Sequence, residues 1–283
     1  MKFGAYIFPT EYSISLVELG QRLEEAGFES LWVTEHTHIP TSRTTPWPGG
    51  RELPREYSCT FDPFLGLTAV ASATERLVLG TGVCLLNQRN PIVTAKEVAT
   101  LDHFSGGRFR FGIGAGWNID EMENHGVRPA AKWKTLRERV EAMKEIWSND
   151  EASYHGELVD FDPIWQWPKP LHRPHPPILL GGAAPGALRR VVRYCDGWIP
   201  IGTRAQRDFR EPAAELARLA EEAGRPRPSL SIFGTERTDE AIACHAQAGA
   251  ERVVFGLPSE PAETVVPLLA RDAELARRFG ESP

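Results

Sequence analysis

Residues 106–121 read GGRFRFGIGAGWNIDE, and the way this stretch is parsed decides the fold. Gly106-Gly107 is a turn, Arg108 to Ile113 a short strand, and Gly114-Ala115-Gly116 a break before the polar run that begins at Asn118. A strand that ends in glycines leaves the next backbone N–H groups unshielded by side chains, which suits a phosphate or a flat ring. Taken alone, the stretch reads equally as a strand-to-helix turn that needs only glycine torsions. Its surroundings have to decide.

The same strand-then-helix rhythm runs outward in both directions. Upstream, the apolar runs Lys2 to Phe8, Leu31 to Val33 and Leu77 to Val83 are expected strands. Between them lie a helix from Leu16 to Ala26, capped by Ser13 or Ser15, a helix from Asp62 to Ala73, and one running from Asn90 to Phe104. Downstream, Lys132 to Trp147 is a strongly patterned helix. The strands Ile178 to Leu180, Gly197 to Ile201, Leu230 to Phe233 and Arg252 to Phe255 then alternate with helices at 184–194, 212–223, 239–248 and 261–279. Eight short unalternated strands, each followed by a helix, mean a parallel sheet covered on its outer face. In a chain of 283 residues they predict a single (β/α)8 TIM barrel over residues 1–283, with an open doubly wound sheet as the alternative. Two segments break the rhythm: a long loop at 39–61, and an insertion at 150–177 after the fourth helix. The insertion combines a hairpin turn at Tyr154 to Glu157 with a proline-rich path from Trp165 to Pro177. Both are expected over the C-terminal mouth.

Composition narrows the function. With 32 basic against 38 acidic residues the net charge is -6, which argues against a general nucleic-acid binder. Cys59, Cys84, Cys195 and Cys244 lie far apart and form no CxxC pair, so neither a disulfide framework nor a zinc knuckle is expected and a reducing cytoplasm fits. The N-terminal apolar run is too short for a signal peptide, and no stretch approaches the ~20 residues of a membrane span.

In a barrel, chemistry sits where the C-terminal strand ends meet their loops. Those ends carry Phe8-Pro9, then Glu35-His36-Thr37-His38, Thr81-Gly82-Val83, Gly114-Ala115-Gly116-Trp117, Gly181-Gly182-Ala183 and Pro200-Ile201-Gly202. One acid and two histidines stand among glycines and apolar groups. The several carboxylates of a sugar hydrolase or hard-metal site are missing, as is a nucleophile elbow. The list suits a large flat ligand with an anionic tail and leaves one histidine to handle a proton. His36 and His38 could pair on a metal, as in some barrel hydrolases, but later strand ends offer no further ligands. His38 reads as a polar loop residue. His36, beside Glu35, reads as functional, against a structural histidine buried on its neighbouring acid. GIGAG is not a dinucleotide fingerprint, because Trp117 occupies the third glycine position. Trp117 reads as facing a cofactor or substrate, against plain core.

The segments LWVTEH, LGTGV, NPIVTAKEVATLDHFSGGRFRFGIGAGWNIDE and PPILLGGAAPGALRR with CDGW together resemble the bacterial luciferase-like superfamily of flavin- and deazaflavin-dependent oxidoreductases. The GxGxGWxxxE and PxPPIxxGG versions look like the branch that depends on coenzyme F420. The resemblance implies a barrel with the cofactor at its mouth and His36 beside the reactive ring as acid or base, tuned by Glu35. It implies a non-proline cis peptide at Gly82–Val83 backing the ring, and a cofactor site of Phe8, His36, Thr81, Gly82, Val83, Ala115, Gly116, Trp117, Gly181, Gly182 and Ala183. It also implies a homodimer. Two departures stand out. Trp117 replaces a glutamate found in sugar-phosphate-oxidising relatives, and Ala183-Ala184 replaces a Ser or Thr that bonds the phosphate in many others. Four functions are therefore weighed. They are hydride transfer between deazaflavin coenzyme F420 and a small organic substrate, an FMN-dependent monooxygenase fed by a separate flavin reductase, a non-catalytic flavin-binding protein, and a metal-dependent hydrolase.

Overall fold

A computed structural model of the chain describes residues 1–50, 52–202 and 208–280. In chain order the elements are β1 (Lys2–Ile7), α1 (Leu16–Glu25), β2 (Ser30–Val33), α2 (Glu56–Cys59), α3 (Pro63–Ala73), β3 (Val78–Thr81), β4 (Cys84–Leu85), α4 (Pro91–Phe104), β5 (Phe109–Gly114) and α5 (Ile119–Asn124). They continue as α6 (Lys132–Ser148), β6 (Glu151–His155), β7 (Asp160–Trp165), β8 (Ile178–Gly181), α7 (Ala187–Tyr194), β9 (Gly197–Ile199), α8 (Arg210–Glu222), β10 (Ser229–Phe233), α9 (Asp239–Gln247), β11 (Arg252–Gly256) and α10 (Ala262–Phe279). Helix starts follow local capping chemistry. Ser15 accepts from Glu18 N, Asp62 from Phe64 N and Leu65 N, Asn90 from Ile92 N and Val93 N, and Thr238 from Ala241 N.

All strands except the β6–β7 hairpin form one parallel sheet in the order β3-β2-β1-β11-β10-β9-β8-β5-β4, and pairing of β3 with β5 closes it into a barrel. The open-sheet alternative is thereby excluded. Inside, Trp32, Leu179, Ile199, Phe233 and Val254 form a buried cluster against which Tyr6 and Val83 pack. A larger apolar core joins the strands to the helices around them.

The third barrel strand is interrupted. β3 stops at Thr81, the Gly82–Val83 peptide is cis, as the resemblance implies, and β4 resumes at Cys84. Neighbouring strands make room for the bulge with glycines. A Cβ at Gly114 would lie 2.7 Å from Val83 Cγ2, and one at Gly181 would lie 2.7 Å from Val83 Cγ1.

The 150–177 insertion is placed differently from the expectation. Its hairpin packs on the flank of α6, where Glu138 accepts from Leu158 N and Val159 N at the tip. The following path runs to the opposite end of the barrel. There the Lys169 ammonium bonds Ile146 O, and His172 bonds Asp102 near the end of α4. The chain must return to the barrel floor to begin β8, and on the way Gln166 donates to Ile92 O in the first turn of α4.

Gly112 tests the tight contact beside the bulge. A Cβ there would sit 2.0 Å from the backbone oxygen of Thr81, an atom that cannot swing aside. Gly112→Ala is expected to cost about 1–3 kcal/mol or more, read as a lowered denaturant midpoint with an unchanged slope.

Candidate active site

The mouth is organised around His36, which follows β2. Glu35 and His36 are adjacent, yet their side chains go to different partners. Glu35 turns to the bulge. It accepts from Leu85 N at 2.6 Å and from Arg89 Nε at 2.6 Å, while Arg89 also pairs with Asp62 and Glu97. The expectation that Glu35 tunes His36 is therefore corrected: the carboxylate on the imidazole is Glu121. His36 Nδ1 lies 3.0 and 2.9 Å from its two oxygens. Glu121 is 1% exposed and His36 8%, so each is the other's means of satisfying a buried polar group.

Trp117 completes the arrangement. Its indole N–H donates to His36 Nε2 at 3.4 Å. An indole nitrogen can only donate, so Nε2 is the acceptor and the proton sits on Nδ1, facing Glu121. The carboxylate thus fixes the tautomer, and the Nε2 lone pair of His36 is taken by Trp117.

The 39–61 loop lies over this group. Tyr57 packs at ring-centroid distances of 4.5 Å from Phe8, 5.1 Å from His36 and 5.8 Å from Trp47, and Arg43 stands 5.7 Å over the Trp117 ring. Beneath it a cavity of about 440 Å³ is lined by Tyr6, Phe8, Trp47, Tyr57 and Leu257, with Glu56 at its edge. Burial raises the Tyr57 and Tyr6 phenols above their ordinary range, so both remain neutral donors.

One tie of the loop reaches α5. Thr44 and Thr45 give Asp120 two backbone N–H and two hydroxyl hydrogen bonds of 2.6–3.2 Å. The Thr45 hydroxyl in turn accepts from Ile119 N and so caps α5. The same short helix that carries Glu121 is clamped by the loop.

Other expected site residues fall in two groups. Val83 packs between Gly114 and Gly181, and Ala115, Gly116 and Trp117 follow β5 directly, with Gly116 at φ +82. Ala183 lines a second cavity, about 330 Å³, with Ala184, Gly186, Arg189 and Trp198. Against expectation, the Thr81 hydroxyl is spent on Gly112 O at 2.6 Å and is fully buried. The Gly182 N–H is likewise committed to Ile199 O at 2.9 Å, which leaves Ala183 and Ala184 as the donors of that turn. His38 bonds Thr37 and Asn124. Among the described residues no three His, Cys, Asp or Glu side chains cluster as a metal site.

Sequence reasoning missed Glu121 as the partner of His36. The signal was present in the spacing GxGxGWxxxE, whose last residue is Glu121.

Hydrogen bonds from Thr45 and Thr44 hold the Asp120 carboxyl well below the usual carboxylate range. A lowered folded pKa means that the clamp is complete above the ordinary carboxylate value, about 4, and is lost only as pH falls through the lowered one. Asp120→Asn is expected to accelerate limited proteolysis in 39–61 several-fold at neutral pH. Loop protection in the unaltered chain should stay constant from pH 8 to about 5.

The chain matches the family model described as luciferase-like monooxygenase over residues 4–251. It is 37% identical over 276 residues to the uncharacterized protein Rv0953c of Mycobacterium tuberculosis, covering 96% of this chain and 97% of that one. An FMNH(2)-dependent dimethylsulfone monooxygenase of Pseudomonas putida is 32% identical over 141 residues, 49% of this chain and 39% of that one. An F420-dependent glucose-6-phosphate dehydrogenase of Nakamurella multipartita is 29% identical over 210 residues, 72% and 57% respectively. The fold recurs in monooxygenase RslO1 from Streptomyces bottropensis, with a TM-score of 0.80 at 20% identity over 99% of this chain and 100% of that one. It recurs also in the coenzyme F420 dependent tetrahydromethanopterin reductase of Methanopyrus kandleri, with a TM-score of 0.77 at 17% identity over 99% of each chain. The closed parallel barrel, the interrupted third strand and a family match over most of its length place this chain in the luciferase-like monooxygenase family of oxidoreductases.

Proposed function

We propose that this chain binds deazaflavin coenzyme F420 at the barrel mouth and transfers a hydride between it and a small organic substrate. The observation that carries the reading is the buried His36–Glu121 pair, whose Nε2 accepts from the Trp117 indole at the barrel mouth. The residues present fit such a group. Gly116 presents backbone with no Cβ and has no atom nearer than 3.7 Å to where one would stand. Asn118 is fully buried just behind it, with both side-chain polar atoms unpartnered. At the other end the N-terminus of α7, the Ala183 and Ala184 N–H groups and Arg189 would hold a phosphate.

Bound there, the ring supplies the hydride chemistry and the protein supplies position and protons. Val83 gives the ring an apolar back wall. His36 Nε2 accepts or returns the matching proton once Trp117 yields its hydrogen bond, and Glu121 keeps the imidazole in the required orientation. Phe8, Trp47 and Tyr57 give the cavity above an aromatic wall, which favours a substrate with an apolar part. A homodimer belongs to this reading through the family resemblance.

A second reading keeps the same site for reduced FMN and dioxygen, with the flavin supplied by a separate reductase. The similarity to the dimethylsulfone monooxygenase favours it. Titrating the purified protein with each cofactor and following fluorescence quenching separates the two. Under the first reading F420 binds at least about tenfold more tightly than FMN, a difference of ~1.4 kcal/mol, and the reverse order selects the second.

His36→Ala is expected to lower turnover about 10²–10⁴-fold while cofactor affinity changes little. Glu121→Gln, which keeps the shape but presents an amide to Nδ1, should lower turnover by about tenfold or more. Unchanged steady-state rates in both variants would remove the pair from the reaction.

A further inference from the structure

Beside the mouth, and sharing none of Phe8, Val83, Trp117 or residues 181–183, lies a cavity of about 380 Å³. It is bounded by the residues before α4, the end of α5, the middle of α6 and the tip of the β6–β7 hairpin. Its polar lining includes Gln88, Asn90, His125 and Arg139.

Three observations converge on it. Arg139 Nη1 donates to Leu86 O at 2.8 Å, but its Nε is buried without a partner. Among the described residues no carboxylate lies within ion-pair distance of it, whereas Arg137, whose Nε is likewise without a hydrogen bond, has ion-pair partners in Glu138 and Glu141. Burial alone pulls the Arg139 guanidinium below its ordinary range, with no neighbouring acid opposing. Second, Gln88 is 8% exposed. Its Oε1 accepts from the Thr37 hydroxyl at 3.1 Å, and its Nε2 donor has no partner. Third, the cavity faces Asn90 and Pro91, the start of the 14-residue helix α4; its first N–H groups are taken by Asn90, so this end contributes only its positive partial charge.

A half-buried guanidinium with no carboxylate partner and an orphaned buried amide donor are each costly unless something accepts from them. The one acid in the lining, Asp160, is largely exposed and already pairs with His155 at 2.7 Å. Glu138 accepts from the hairpin tip, so this wall is held in place without a ligand. We propose that this cavity is an oxyanion-binding site, taking a phosphate or carboxylate group between the Arg139 guanidinium and the Gln88 amide, with His125 at its edge. The inference does not depend on which cofactor the mouth binds. Its position gives it a route to the chemistry, because Gln88 and His125 both bond Thr37, the residue after His36.

His125 provides a local reporter. Burial, together with the nearby charges of His38 and Arg139, holds its imidazole below the ordinary histidine range, against Glu121 and Glu35. The full-length protein would be titrated with inorganic phosphate and, separately, with succinate, using sodium chloride at matched ionic strength as the control. Histidine ring resonances would be followed by NMR, with His125 assigned from a His125→Gln spectrum. The expected result is a saturable movement of the His125 signal and an upward shift of its titration midpoint with at least one of the two anions and not with chloride. Whichever anion acts identifies the source of the oxyanion. The apparent dissociation constant should weaken at least about tenfold in Arg139→Gln, and stay within about twofold in Arg137→Gln, which removes an equal charge from the same helix. Arg139→Lys, which keeps the charge, covers the case in which the glutamine variant does not fold. No response of His125 to either anion, or equal weakening in the two glutamine variants, would overturn the assignment.

Discussion

A carboxylate taken out of water must be given a hydrogen-bond donor, and the mouth of this barrel is built around that requirement. Glu121 is 1% exposed and meets His36 at 2.9 Å. The pair joins two points 85 residues apart in sequence, the end of β2 and the first turn of α5. It fixes which nitrogen of His36 bears hydrogen, and therefore which nitrogen faces the mouth. Everything proposed about proton movement depends on that choice.

The surrounding frame exists to let the pair stand beside a flat apolar wall. β3 is interrupted so that Val83 projects between two strands, and those strands carry Gly114 and Gly181 where any side chain would collide with it. On the far side of the bulge Arg89 gathers Glu35, Asp62 and Glu97. That second ionic cluster anchors the chain after β4 to the start of α3. Two acids flank the site, and their duties differ: Glu121 orients the imidazole, and Glu35 braces the bulge.

Most of the fold was legible in the sequence because barrel strands are short apolar runs punctuated by glycine and proline, and because Asp62 and Asn90 announce their helices. The site was legible in part. His36, Val83 and Trp117 follow from strand-end logic and family motifs. The imidazole's partner did not, since adjacency suggested Glu35, whereas the carboxylate that meets it lies 85 residues on, in α5. α5 is six residues long and polar, too short for periodicity to register. The route of the 150–177 segment was misplaced for a topological reason, because a parallel barrel obliges the chain to start each strand from the same end. The commitments of the Thr81 hydroxyl and the Gly182 N–H are pairings across strands, which no local pattern encodes.

The clamp of Thr44 and Thr45 on the first turn of α5 joins two parts of the mouth that are far apart in sequence. Asp120 is held by the covering loop, and Glu121 is the very next residue. The loop and the helix turn that presents a carboxylate to His36 are therefore one hydrogen-bonded unit, and a change in either is felt by the other.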